Sequence, residues 1–316
     1  MNQKIFVTGA SGCIGHYIIE QLINRPATEL HLLLRNPARL LFDYKSYPNL
    51  HIHIGNLEKI EAQEQTIKNM DYLIHIATDW SNSDYAHLLN VVKTHKMFDY
   101  CAKGNCRRIL YFSTASILGK DNTLLPEAGQ LGTGYIKSKY MAYKLLKESP
   151  AKDIIHTLFP TLVFGGDKNH PYSHLSGGII PNLHYAKILR FLYLNSRFHF
   201  MHATDIAGIA CKMLSMPNPP KEAVLGGRMI TGKEAIEILC RVFHIRKYVR
   251  VKITPWLLKG LLYLFKIKLD PWDRYCLYHP FFEYKTITPK NVSLPYHYPE
   301  LESILDEIKA QHLTKL

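Results

Sequence analysis

The chain has 316 residues, is 47% hydrophobic and carries a formal charge of +13, which provides apolar sequence for a sizeable core and excludes a disordered chain. Its basic residues are spread along the sequence, with small clusters at Lys103/Arg107/Arg108 and Arg241/Arg246/Lys247/Arg250. No aromatic–basic alternation accompanies them, so most of the charge reads as a solvated face and nucleic acid is not an expected partner. The six cysteines are scattered without a C-x-x-C pair, and Met1–Lys4 leads straight into strand-like sequence with no secretory leader, so a reducing cytoplasm is expected.

The first predicted element is a strand at Lys4–Thr8, followed by the turn Gly9-Ala10-Ser11-Gly12-Cys13-Ile14-Gly15 and a helix over Gly12–Asn24. Glycines at G-x-x-G-x-x-G spacing let a backbone turn sharply, and the helix start aims N–H groups and a positive dipole end at an anion such as a pyrophosphate. Alone, the pattern fits a plain strand–helix turn equally well. Further strands are predicted at Glu29–Leu34, Leu50–Ile54, Asp71–Ala77, Arg108–Ser113 and Asp153–Phe159, and helices at Glu58–Asn69, Asp84–Lys103 and Tyr135–Glu148. Apolar strands alternating with helices indicate an α/β fold with a parallel sheet covered on both faces.

After Phe159 the rhythm changes. Gly165–Pro171 and Ser176–Gly178 read as loops, Phe198–His202 as a short strand, and Thr204-Asp205 as the cap of a helix running to about Leu214. A strand near Arg228–Ile230, a Thr231-initiated helix over Lys233–Phe243 and an aromatic, proline-dotted tail follow. Trp256–Leu269 is the longest late apolar stretch, but Lys259, Lys266 and Lys268 interrupt it, and it falls short of the ~20 residues that span a bilayer. A buried helix, the lining of an apolar pocket and a helix resting on a membrane surface all fit it. Residues 1–165, completed by part of 198–230, are expected to form the dinucleotide-binding unit; residues 166–316 are expected to form mostly a smaller substrate-binding lobe and tail.

Tyr135 and Lys139 stand at i,i+4 spacing, on one helical face. A nearby ammonium favours phenolate, which would make Tyr135 a proton donor or acceptor for a carbonyl/alcohol pair. Upstream, the strand ending in Ser113-Thr114-Ala115-Ser116 places hydroxyls where substrates bind, although such groups also satisfy loop backbone. The histidines show no H-E-x-x-H spacing, and His51 and His53 merely alternate on a strand, so no metal site is expected.

Taken in order, Thr8-Gly9-x-x-Gly12-x-x-Gly15, Asp71–Ala77, Asn90-Val91, Ser113-Thr114 with Gly119, Tyr135-x-x-x-Lys139, Pro160–Gly165 and Phe200–Ala207 resemble the extended short-chain dehydrogenase/reductase family. The likeness covers roughly residues 1 to 240. It implies a Rossmann-type, doubly wound parallel sheet with a smaller C-terminal lobe. Carried over by position, Tyr135 becomes the catalytic acid/base, Thr114 the hydroxyl that positions the oxygen, and Lys139 the group that binds the nicotinamide ribose and lowers the tyrosine pKa. Cofactor contacts fall on Gly9, Ser11, Gly12, Cys13, Ile14, Gly15, Arg35, Asn56, Leu57, Ala77, Asn90, Tyr135, Lys139 and Pro160.

Departures from the family pattern narrow the expectation. Where NAD-preferring members have an acid at the end of the second strand, this chain has Arg35, which suits a 2′-phosphate and favours NADP(H) over NAD(H). Gly55-Asn56 replaces the usual Gly-Asp. Ala115-Ser116 replaces the Asp-Glu pair of the sugar dehydratases, and Phe159 stands where many sugar-nucleotide epimerases carry arginine. In these respects the chain is similar to reductases of the dihydroflavonol and 3β-hydroxysteroid type. The expected activity is therefore hydride transfer between nicotinamide and a carbonyl or secondary alcohol of an organic small-molecule substrate, hydrophobic if it follows those reductases. An NAD-dependent sugar-nucleotide epimerase and a non-catalytic nucleotide-binding scaffold remain open, the latter because Tyr143 stands where many relatives have glutamate. Homodimer pairing through helices and peripheral contact of the C-terminal region with a membrane are also open.

Overall fold

The computed structural model describes residues 2–81, 84–185, 191–193, 195–246, 251–252, 254 and 268–313. Its strands are β1 (Gln3–Thr8), β2 (Thr28–Leu34), β3 (Leu50–Ile54), β4 (Tyr72–His75), β5 (Arg108–Phe112), β6 (Ile155–Pro160), β7 (Leu162–Phe164), β8 (Leu192–Tyr193), β9 (Arg197–Phe198), β10 (Phe200–His202), β11 (Glu222–Leu225), β12 (Ile230–Thr231), β13 (Val251–Lys252) and β14 (Thr286–Ile287). Its α-helices are α1 (Cys13–Ile23), α2 (Glu64–Lys68), α3 (Asp84–His87), α4 (Thr94–Ala102), α5 (Pro126–Leu131), α6 (Gly134–Leu145), α7 (His174–Ile179), α8 (Ala203–Ser215), α9 (Gly232–Val242), α10 (Pro271–Tyr278) and α11 (Leu301–Leu313).

Eight strands join in one sheet in the order β14-β11-β6-β5-β4-β1-β2-β3, with every pairing parallel. This is the Rossmann-type α/β sheet expected from the sequence. Alternate residues of each strand feed opposite layers. On β1, Ile5 and Val7 join the cluster around Ile18, Leu22, Ile206 and Ala210 of α1 and α8. Phe6 joins the opposite cluster, with Ile67, Phe98 and Ala142 from α2, α4 and α6. The chain leaves β1 toward β2 and β3 on one side and continues from β4 toward β5 and β6 on the other. The strand order therefore reverses between β1 and β4, where ligands settle in open α/β sheets.

Several elements differ from expectation. The predicted helix Glu58–Asn69 is a 3-10 stretch, Leu57–Gln63, broken at Lys59 (φ −107°, ψ 37°) and followed by α2. The predicted Asp84–Lys103 helix is a composite, with a π-helical segment at Leu88–Lys93 between α3 and α4. The strand near Arg228–Ile230 is β12, which pairs antiparallel with β9 outside the main sheet. The main sheet is extended instead by β11 and β14, which are too short to carry a pattern. The apolar stretch Trp256–Leu269 lies outside the described residues apart from Lys268 and Leu269. Among the described residues, no helix is long and apolar enough to cross a membrane.

Three residues of the basic clusters are engaged in structure. Arg107 pairs with Asp71, Arg108 donates to the carbonyls of Met213 and Leu214, and Arg241 pairs with Glu302. Lys247 and Arg250 lie outside the described residues.

The C-terminal segment is fastened by a residue that the sequence placed in a cap. His202, not Thr204-Asp205, caps α8, its ring accepting from Thr204 N at 3.2 Å. Asp205 is 1% exposed, and its two oxygens accept from His297 N and Tyr298 N, both at 3.0 Å. These bonds hold the approach to α11, which packs Ile304, Leu305 and Ile308 against Ile238 and Val242 of α9. Asp205→Ala leaves two backbone donors without acceptors and should cost about 2–4 kcal/mol in chemical denaturation. Asp205→Asn, which keeps one acceptor, should cost less.

Candidate active site

The turn after β1 is as tight as its glycines suggested. Gly9 has φ +81°, and a Cβ there would stand 2.6 Å from Ala77 N; a Cβ on Gly15 would stand 2.2 Å from the Gly9 carbonyl oxygen. Gly12 is the extended N-cap of α1, with no side-chain cap and no acid in the first turn. The first N–H groups of the helix, around Ser11, Cys13 and Ile14, therefore have neither an intrahelical acceptor nor a carboxylate, and suit an anion. The Cys13 thiol is pushed up to about 12, first by burial and then by the charge of Asp167. It is thus a packing group rather than a nucleophile. Beneath the turn, His75 bridges Thr8 Oγ1 at 2.7 Å and Thr94 Oγ1 at 2.9 Å, tying β1, β4 and α4 together. Burial holds this imidazole well below its usual range, so it is neutral.

Beside the carboxyl ends of β2 and β3 lies a cavity of about 380 Å³ lined by Leu33, Arg35, Ile54, Gly55, Asn56, Lys59, Ala62 and Gln63. Ile54 is 74% exposed, an apolar surface at the place where a base could rest. Asn56 Oδ1 accepts from Lys59 N at 3.1 Å, so its NH2 end is the part left for a base. The Leu57 side chain is buried in the core, which restricts any cofactor contact there to its backbone. Two cations, Arg35 and Lys59, and no carboxylate line this cavity. Sequence reading found Arg35 but missed Lys59 and Ile54, which only the break in the 3-10 stretch and the end of β3 bring to the same rim.

On the other side of β4, Tyr135 and Lys139 occupy one buried face of α6 and are 8% and 2% exposed. Thr114, at the carboxyl end of β5, accepts from Ser116 N at 3.2 Å, and its hydroxyl also hydrogen-bonds with Tyr135. The three carried-over residues are therefore brought together. One expected effect is missing. Burial raises the Tyr135 phenol, opposed by the Thr114 hydrogen bond. Lys139 is turned instead to the Phe112 carbonyl, 2.8 Å from Nζ, and sits over the Tyr111 ring at 5.0 Å.

Asn90 lies in the π-helical segment and uses its whole amide inside the protein. It accepts from Thr78 Oγ1 and Asp79 N, and donates to Asp79 O and Ser138 Oγ, at 2.8–3.0 Å. It therefore positions the loop after β4 against α6. That loop carries Trp80, which the sequence reading missed. Its ring, 58% exposed, stacks on Tyr135 at 3.9 Å between centroids and meets His174 of α7 edge-on at 5.2 Å. A tryptophan in the loop directly after a predicted strand, at a carboxyl edge, was the available signal. Pro160 closes β6, and Phe159 is in the core against Tyr143 rather than in the site. Tyr143 donates to Glu222. The loop from Gly165 to Ser173 is pinned to α1: Gly166 N donates to Tyr17 Oη at 3.1 Å, and His170 stacks on Tyr17 at 3.9 Å; Ser176–Gly178, read from the sequence as a loop, lies in α7, which Ser173 caps.

Burial alone lowers Lys139 from 10.5 to about 7. The folded chain then gives up this proton at lower pH than the unfolded chain, so its stability should rise as pH increases from about 7 toward 10. Urea denaturation of wild type and Lys139→Met across that range should show the wild type gaining on the variant as pH rises. A constant difference would contradict a buried, unpaired ammonium.

The profile of the NAD dependent epimerase/dehydratase family matches residues 5–226. No curated protein matches the chain. Among solved structures, the chain is similar to a UDP-N-acetylglucosamine 4-epimerase from Methanobrevibacter ruminantium M1 in complex with UDP-N-acetylmuramic acid. That similarity has 17% identity and TM-score 0.70, over 100% of this chain and 99% of that one. It is also similar to dTDP-glucose 4,6-dehydratase from Bacillus anthracis str. Ames in complex with NAD, at 16% identity and TM-score 0.67 over 99% and 97% of the two chains. A third similarity is to DesIV, a dTDP-glucose 4,6-dehydratase from Streptomyces venezuelae with NAD and TYD bound, at 16% identity and TM-score 0.69 over 99% and 97%. At these identities the likeness is one of fold.

Proposed function

The chain belongs to the NAD-dependent epimerase/dehydratase family, and from that premise we propose that it is a nicotinamide-dependent oxidoreductase acting on a carbonyl or secondary alcohol. The observation that carries the reading is the convergence of Thr114, Tyr135 and Lys139 at the carboxyl edge of the sheet, beside the glycine turn. The residues fit a dinucleotide. The α1 N-terminus would hold its pyrophosphate, and the cavity between β2 and β3 its adenosine. Lys139 has one acceptor, Phe112 O, for three ammonium hydrogens, so ribose hydroxyls would complete its shell. A bound nicotinamide would supply hydride exchange.

The protein's own part is proton handling and orientation. Thr114 would hold the substrate oxygen within reach of Tyr135 Oη, which gives its proton to an alkoxide or takes one from an alcohol. Because burial raises Tyr135, the resting phenol is protonated and suited to donate during carbonyl reduction. A cationic Lys139, drawn up by ribose contacts, would ease the return of that proton. Trp80 and His174 would cover the reacting carbon and exclude water. Tyr135→Phe should lower turnover by about 10²–10⁴ while NADPH affinity measured by fluorescence titration stays within about twofold. Full retention of turnover would remove the tyrosine from the chemistry.

For the cofactor we favour NADP(H). Arg35 and Lys59 present two cations and no acid at the adenosine cavity, which suits a 2′-phosphate better than a ribose hydroxyl pair. Wild type should bind NADPH at least about tenfold tighter than NADH, a difference of about 1.4 kcal/mol, and Arg35→Asp should abolish or reverse the preference. Equal affinities in wild type would contradict this assignment.

A second reading, a sugar-nucleotide epimerase with transient oxidation, is supported by the family and by the fold likeness to a 4-epimerase. It is distinguished by epimer interconversion without net change in nicotinamide absorbance. Dehydration is less well supported, because Ala115 and Ser116 follow Thr114 and Ala115 is buried in the core.

A further inference from the structure

Toward the β3 edge of the sheet, away from Thr114, Tyr135 and Lys139, three imidazoles and a carboxylate gather on β2 and β3. Parallel register sets His31 beside His51 and Leu33 beside His53, and Glu29 shares the face of His31 two residues away. Glu29 Oε1 lies 3.1 Å from His31 Nε2 and 3.3 Å from His51 Nε2, and one ligand atom from each of the three residues falls within 4.8 Å of the others. On the far side of the ring, His31 Nδ1 lies 3.0 Å from His53 Nε2.

We propose that Glu29, His31 and His51 form a binding site for a divalent transition-metal ion of the zinc class, with His53 orienting His31. Two imidazoles and one carboxylate are the donor set that such ions take, whereas Mg²⁺ and Ca²⁺ favour all-oxygen sites. An ion about 2.0–2.1 Å from each ligand in a tetrahedron has ligand pairs about 3.3 Å apart, close to the two separations already present. His31 can place its single proton on Nδ1, donate it to His53 and leave Nε2 to the ion, the arrangement by which outer partners fix a ligand's tautomer. The ion would clip the edge strand β3 to β2, roughly 13 Å along the strand from Arg35. Water completes the fourth position.

The test is calorimetric titration of Zn²⁺ into the full chain after chelator treatment and dialysis, on wild type, His51→Ala, His53→Ala and a distant control, His184→Ala. His51 is 44% exposed, so its replacement should leave the fold intact, which melting in chelator verifies. One equivalent should bind wild type and the His184 control alike, His51→Ala should weaken it by at least about tenfold, and His53→Ala should weaken it to a smaller extent. A thermal upshift with Zn²⁺ should likewise be lost in His51→Ala. Binding to His51→Ala within tenfold of wild type, or no binding to wild type at about 1 mM Zn²⁺, would overturn the proposal.

Discussion

The turn after the first strand and the end of β4 leave no space for a side chain between them. A Cβ on Gly9 would meet Ala77 N at 2.6 Å, and one on Gly15 would meet the Gly9 carbonyl oxygen at 2.2 Å. That contact brings the N-terminus of α1 against the point where strand order reverses. The Thr8–His75–Thr94 relay makes the same junction rigid from below, with His75 kept neutral by its burial. Everything proposed about the site follows from this junction. The helix N-terminus, the Arg35 cavity on the β2 side and the Thr114/Tyr135/Lys139 group on the β5 side all take their positions from it.

The site also holds unbalanced charge. Lys139 is buried against a backbone carbonyl, with burial as the cause of its lowered pKa, and Arg35 and Lys59 face a cavity without a carboxylate. An ammonium buried in this way weakens the fold unless something supplies acceptors. In the proposed reading the cofactor does so for Lys139, its ribose oxygens completing the ammonium's shell, while the exposed Arg35 and Lys59 offer their charge to a phosphate. The Trp80 stack on Tyr135 covers the phenol from the open side.

The parallel sheet and the clustering of Tyr135 with Lys139 were legible in the sequence because each rests on a local signal: apolar runs for β1, β2, β5 and β6, and fixed spacing for Gly9/Gly12/Gly15 and Tyr135/Lys139. What escaped depends on partners distant in the chain. β11 and β14 are too short to show a period, and their places come from pairing, β11 on β6 and β14 on β11. The break at Lys59 and the π segment at Leu88–Lys93 follow from tertiary demands, the second from seating the Asn90 amide between the loop after β4 and Ser138. Thr204-Asp205 reads as a cap, yet Asp205 serves backbone donors ninety residues onward. His51 shows no ligand spacing because Glu29 and His31, its partners in the proposed site, come from the neighbouring strand. The effect of Lys139 on Tyr135 was expected both from their i,i+4 spacing and from the family likeness. In this arrangement the ammonium faces Phe112.

The most direct test of the central claim is a crystal structure of the protein grown with NADPH. The account predicts the pyrophosphate over the N-terminus of α1, within hydrogen-bonding reach of its first N–H groups, and the nicotinamide ribose on Lys139 Nζ. A dinucleotide seated elsewhere on the protein, or none bound at saturating concentration, would contradict it.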